Sequence, residues 1–288
     1  MRVETPAEQL LYSTVLVETE SGDPPQKGVG TSFIFSIQRG GNTFLSLVTN
    51  KHVVKEAARG RFFFTKRQAE EPLVGQRYDV HVEQFENAWF GHPDPAVDVA
   101  VLPLLPIINH AAQSGVELYF RAIPHTAIPS DQQLEELDAL EEVVFVGYPS
   151  GIYDTVNLLP VLRRGTTATP AQVDYDGRPL FLVDGSVFPG SSGSPVLVYN
   201  LGAWGSRRGL IGGTRLLLLG LMAQVAYQEE EGELEFHAIP SIGVPFVRTR
   251  QMLDLGVVFK ARTILETAEA LLQARGEMQE EQVNDSRT

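Results

Sequence analysis

Between residues 10 and about 248 the chain runs as short stretches rich in Val, Ile, Thr, Phe and Tyr, and this rhythm limits the fold more than any other feature. Six stretches fall at 12–17, 31–37, 43–48, 61–65, 78–85 and 97–102; six more fall at 143–147, 161–169, 179–183, 195–199, 216–227 and 234–239. Gly22-Asp23-Pro24-Pro25, Gly40-Gly41-Asn42 and Gly91-His92-Pro93-Asp94-Pro95 separate them as turns. With no helix-length pattern between the stretches, the expectation is an all-β sandwich or barrel, not a parallel α/β sheet.

Composition narrows the chemistry. The 288 residues include no cysteine, which excludes disulfides, zinc-thiolate and iron–sulfur sites and a thiol nucleophile. The N-terminus lacks the basic start and apolar stretch of a signal peptide. The apolar run at 216–219 falls far short of the ~20 residues that span a bilayer. A cytoplasmic protein with no membrane partner is expected. The net charge of −13 is concentrated at 131–142, at 229–235 and in the tail from residue 277. No basic stripe remains for nucleic acid.

Two segments read as helical. Residues 130–142 begin with Ser130 as an N-cap and form an acidic linker, here bounded at 119–142, between a first lobe at 10–118 and a second at 143–248. Residues 262–274 place Ile264, Leu265, Ala268, Leu271 and Leu272 on one face, so 249–275 is expected to be a docked helical segment. Gly276 is expected to stop it, leaving 276–288 as a disordered acidic tail.

Three segments carry chemistry. His52 sits in Thr49-Asn50-Lys51-His52-Val53-Val54, where a β-run ends in a turn. Asp98 is set in the apolar run Val97-Asp98-Val99-Ala100-Val101, where a carboxylate needs a hydrogen-bond donor such as an imidazole. Ser192 lies in Gly190-Ser191-Ser192-Gly193-Ser194-Pro195, a tight loop that leads into a strand. The three are spaced 46 and 94 residues apart. A worked His–Asp–Ser protease template has the same order and intervals of roughly 45 and 93.

On these motifs the chain resembles the trypsin/chymotrypsin-like serine peptidases, in their cysteine-free bacterial branch with the Deg-type and glutamyl endopeptidases. Val146-Gly147-Tyr148-Pro149 and Ala238-Ile239-Pro240-Ser241 add weaker echoes. The resemblance implies two six-stranded antiparallel barrels with the active site between them, a C-terminal helix, and protein or peptide substrates. It implies Ser192 as nucleophile, His52 as general base and acid, and Asp98 as the carboxylate that orients the imidazole. The backbone N–H groups of Gly190 and Ser192 are the implied oxyanion donors, and no metal or cofactor is called for. By residue offset Ser186 falls at the floor of the substrate pocket, and Met222, Ala223 and Gln224 offer a strand edge to the substrate backbone. Ser191 stands where the family's zymogens carry a carboxylate, so activation by a new N-terminus is not expected. The forty residues after Arg248 are too few for a Deg-type peptide-binding module.

Two other readings compete. An α/β-hydrolase pairing Ser192 with His237 fails because Ser194 replaces the last glycine of its elbow and a strand follows the serine. The second is a latent or inactive scaffold on the same fold, used or activated by a regulatory protein partner.

Overall fold

The computed structural model describes residues 2–22, 24–206, 209–233 and 246–285; of 224–233, 246–253 and 277–285 it gives the backbone path. A short helix, α1 (Pro6–Leu10), capped by Thr5, leads into the first lobe. Its strands are β1 (Thr14–Ser21), β2 (Gln26–Arg39), β3 (Asn42–Thr49), β4 (Ala57–Gln68), β5 (Glu71–Glu83), β6 (Phe90–Gly91), β7 (Ala100–Pro103), β8 (Leu118–Tyr119) and β9 (Ile123–Pro124). The one-turn helix α2 (Lys51–Val54) follows β3, and α3 (Leu105–Gln113) follows β7. The order in the sheet is β5-β4-β1-β2-β3-β7-β6, with β8 on β4 and β9 on β2.

This lobe is the less clearly closed of the two expected barrels. The strands at its two ends, β5 and β6, do not pair, so the sheet curls without sealing. The reason lies in residues 85–98, which are spent on a 3₁₀ turn (Phe85–Ala88) and a proline-rich loop, leaving β6 only two residues long.

A short acidic helix, α4 (Asp131–Glu136), joins the lobes. Ser130 caps it in a box with Gln133, but it ends at Leu137, well before residue 142. The second lobe comprises β10 (Glu142–Gly147), β11 (Val161–Thr167), β12 (Leu180–Asp184), β13 (Pro195–Asn200), the hairpin β14 (Ala203–Ser206) and β15 (Gly209–Gly212), β16 (Arg215–Glu233) and β17 (Phe246–Lys260). Six strands close a barrel in the order β10-β11-β12-β17-β16-β13. The closing strand is β17, so the lobe extends to Lys260, and residues 249–260, read as helical from sequence, are a strand. Its partners β12 and β16 supply the backbone hydrogen bonds that decide the matter.

The final helix, α5, spans Ala261–Asp285 and passes Gly276 without stopping. A lone glycine costs a helix roughly 1 kcal/mol and ends it only where the next turn goes left-handed. Residues 229–233 belong to β16, where Glu229 lies opposite Arg250 and Glu231 opposite Arg248 in the register. The expected strand at 234–239, His237 and Ala238–Ser241 lie outside the described residues.

The apolar runs are nearly continuous because many strands bury both faces. On β2, Ile34 points into the first lobe while Phe33 and Phe35 face the layer between the lobes. On β7, Ala100 and Leu102 join the first lobe, and Val99, just before it, and Val101 the interlobe layer. On β13, Val196 and Val198 fill the second barrel while Leu197 turns outward to the same layer. Ile264, Ala268 and Leu271 of α5 cover that layer, so the expected apolar face of the helix is the one that docks. Burying both faces of these strands fixes the lobes against each other and so sets the cleft between them.

Candidate active site

β3 ends at Thr49, and Asn50 turns the chain into α2, which carries His52. Asn50 is fully buried, and its Nδ2 donates to the Asp98 carbonyl oxygen at 2.7 Å. Asp98 lies in the loop just before β7. Its Oδ2 is 2.6 Å from His52 Nδ1, and its Oδ1 accepts from the His52 backbone N–H at 3.0 Å. Two bonds to one residue fix both the position of the histidine backbone and the plane of its ring. Asp94 is occupied elsewhere: its Oδ1 accepts from Ala96 N at 2.8 Å and closes an Asx turn. Lys51 clamps this turn, its Nζ donating to the carbonyls of His92 at 2.8 Å and Asp94 at 2.9 Å. Loss of water around Lys51 lowers its pKa despite the attraction of Asp98 and Asp94.

The Ser192 loop is held from both lobes. Thr31 of β2 is fully buried; its N–H donates to the Ser192 carbonyl at 2.8 Å and its Oγ1 to the Gly190 carbonyl at 3.0 Å. The same Oγ1 accepts from Tyr148 N at 3.1 Å. From β16, Met222 O accepts from Gly193 N and Met222 N donates to Ser194 O. Gly190 has φ +85°, and a Cβ there would meet Tyr148 O at 2.7 Å and Ser150 N at 2.8 Å. Both facts require glycine. Among the described residues, the N–H groups of Gly190 and Ser192 donate to no protein acceptor. Two free donors in a rigid loop suit a developing oxyanion.

His52, Ser192, Gly190 and Ala223 line one cleft of about 640 Å³, with Val53, Lys55, Lys27 and Pro189 also on its walls. The Ser192 hydroxyl, however, donates to Ala223 O at 2.8 Å, not to His52. The histidine–aspartate pair is therefore assembled, while the Ser192 hydroxyl is bonded to β16.

Ser191 occupies the position before the serine and is fully buried. Its Oγ accepts from Arg163 Nη2 of β11 at 2.6 Å. Ser186, expected at the pocket floor, is exposed and contributes its carbonyl oxygen, which accepts from Arg163 Nη1. The Met222 side chain is fully buried in the second barrel, so this residue meets the cleft through its backbone alone. Gln224 pairs with Val257 at the start of the free stretch of β16.

Three residues that position the site escaped the sequence reading: Thr31, Asn50 and Arg163. For Arg163, a charged residue inside a β-run was the available signal. Among the described residues no cluster of three or more His, Asp or Glu is placed to hold a metal, and no helix is long and apolar enough to cross a membrane.

A search of curated protein sequences finds no match. Solved structures with related chain paths include the active form of the Rv3671c protease from M. tuberculosis, at 16% identity and TM-score 0.47, covering 92% of this chain and 83% of that one. The thermostable serine protease AL20 from an extremophilic microorganism aligns at 13% identity and TM-score 0.43, covering 92% and 98%. A mutant of the Tobacco Etch Virus protease aligns at 12% identity and TM-score 0.40, covering 77% and 72%. The family model described as a trypsin-like peptidase domain matches residues 30–202, a span that holds His52, Asp98, Ser192 and most of the strands that position them. The chain belongs to the trypsin-like peptidase domain family.

Proposed function

We propose that this peptidase is a serine endopeptidase that works through His52, Asp98 and Ser192 and passes through an acyl-enzyme. The observation that carries the reading is the doubly bonded His52–Asp98 pair, which shares a cleft with a serine flanked by two free N–H donors. In the first step Ser192 Oγ leaves the Ala223 carbonyl, gives its proton to His52 Nε2 and attacks the scissile carbonyl carbon. The oxyanion is received by Gly190 N–H and Ser192 N–H. His52 then returns the proton to the departing amine, and Asp98 stabilises the imidazolium between the two transfers. A water molecule activated by the same histidine releases the acyl group. The backbone of β16 from Ala223 onward offers the substrate a strand edge.

The hydrogen bond from Ser192 to Ala223 O favours a second reading, in which the protein is latent and a partner releases the serine. A fluorophosphonate probe separates the two. Stoichiometric labelling of the isolated protein, abolished in Ser192→Ala, is expected; absence of labelling with a folded protein supports latency. Turnover in Ser192→Ala should fall by about 10⁶, and retention of a few per cent would place the nucleophile elsewhere.

A further inference from the structure

His92, in the turn before Asp98, bonds through both ring nitrogens and both main-chain polar groups. Its side chain is only 10% exposed. Ring atom Nδ1 accepts from the Asp94 backbone N–H at 3.0 Å, and Nε2 lies 3.1 Å from Oε2 of Glu266 on α5. A backbone N–H can only donate, so Nδ1 carries the lone pair and the single ring proton sits on Nε2, which donates to the Glu266 carboxylate. In the main chain, His92 N–H donates to Val99 O at 2.9 Å, just before β7, and the His92 carbonyl accepts from Lys51 Nζ of α2 at 2.8 Å.

Asp98 lies inside the stretch that these bonds enclose. His92 and Val99 are joined across it, and Val97 N–H donates to Asp94 O at 3.2 Å. Val97 and Val99, on either side of the aspartate, are buried in one cluster with Ile264 and Ala268 of α5. The turn therefore meets α5 through apolar contacts and through one polar tie, from His92 to Glu266, that joins residues 174 apart in the chain. The Glu266 side chain is 52% exposed, so the tie adds little to stability. What it supplies is direction. A carboxylate at Nε2 selects the tautomer whose Nδ1 can accept from Asp94, as outer partners of a functional histidine do elsewhere. The other tautomer would set the ring N–H against the Asp94 N–H.

We propose that Glu266 is a positioning residue: through His92 it fixes the turn that presents Asp98 to His52, which makes α5 part of the active-site frame. The kinetic arm of the test rests on the serine-peptidase reading, and a spectroscopic arm does not. Steady-state kinetics on one peptide substrate and melting temperatures are measured for Glu266→Ala, Glu266→Gln, His92→Phe and the double variant Glu266→Ala/His92→Phe. Glu266→Ala should lower kcat about fivefold with little change in KM, less than the roughly 10²-fold that a full ångström of misplacement can cost. Glu266→Gln, whose amide oxygen still accepts from Nε2–H, should recover most of that loss. In the His92→Phe background Glu266→Ala should cost nothing further, because the tie is already gone. A lower melting temperature with kcat unchanged, or an equal loss of kcat in both backgrounds, overturns the proposal. If the protein turns over no peptide, the serine reading fails and this one is still decided. The proton between His52 Nδ1 and Asp98 Oδ2, 2.6 Å apart, gives a downfield NMR resonance whether or not Ser192 reacts. Glu266→Ala should broaden that resonance through faster exchange with water, and Glu266→Gln should restore it. A resonance unchanged in Glu266→Ala makes the tie a plain surface contact and sinks the assignment.

Discussion

The two halves of the cleft are built to different degrees of completion. On the first lobe, Asp98 already makes both of its bonds to His52, and Asn50 and Lys51 hold the surrounding loop by three bonds to backbone carbonyls. On the second lobe the backbone of the serine loop is equally well held, by Thr31 and Met222, but the Ser192 hydroxyl is turned to Ala223. On the proposed reading, the difference follows from the chemistry asked of each half. An orienting carboxylate must stay in one place through the cycle, whereas a nucleophile must move between a resting bond, the base and the substrate carbon. Rigidity is therefore spent on the backbone around Ser192 and not on its side chain.

The sharpest way to break this comparison is at the carboxylate. Asp98→Asn keeps the shape but offers His52 the wrong hydrogen-bonding pattern, and kcat should fall by about 10⁴. Asp94→Asn disturbs an Asx turn and should leave kcat within a few-fold. Steady-state kinetics on one peptide substrate decides this, and the reverse ranking would move the orienting role to Asp94.

The serine half should fail through its backbone next. Gly190→Ala places a Cβ against Tyr148 O and Ser150 N at a φ of +85°, so the peptide must shift. Displacing one oxyanion donor should cost about 10²–10³ in kcat with little change in KM. A variant as active as wild type would mean that the donors lie elsewhere in the loop.

What could be read from sequence, and what could not, divides along the same line. His52, Asp98 and Ser192 stood out because each is a chemically costly residue in a local pattern, and their spacing is set by the chain between them. The pocket assignments rested on counting residues. Counting does not tell which way a side chain points: Met222 turned into the barrel, and Ser186 gave only its carbonyl to Arg163. The closing strand β17 was missed for a related reason. Met252, Leu253 and Leu255 have helix-compatible spacing, and only pairing with β12, remote in sequence, makes the segment extended. Thr31 likewise has no local signature, since its value comes from Gly190, Tyr148 and Ser192, all far along the chain.

Thr31→Val tests that remote support. The hydroxyl both donates and accepts in a fully buried site, so valine of similar shape strands Gly190 O and Tyr148 N. A loss of positioning of about 1.4 kcal/mol would lower kcat tenfold, and the melting temperature should fall by several degrees. Unchanged kinetics in a destabilised protein would show that Met222 and the Thr31 backbone N–H suffice to hold the loop.

The smallest effect is expected from the equivalent support on the other half, Lys51→Met. Its two carbonyl partners sit in the turn before Asp98, while Asp98 itself keeps its bonds to His52 and Asn50. The variant should therefore lose only a few-fold in kcat, less than Thr31→Val. A second readout isolates the lysine. Its pKa is lowered in the folded protein from 10.5, chiefly by loss of water, so the unfolded chain binds the extra proton over the interval just below 10.5. Stability contributed by this group then rises with pH through that interval and is lost again as pH falls through the folded value. Lys51→Met removes this contribution, so the difference in unfolding free energy between wild type and variant should grow in favour of wild type as the pH rises towards 10.5, measured by denaturant melts. A constant difference across that range would mean that Lys51 keeps its water, and that the first half of the site is held by Asn50 and Asp98 without it.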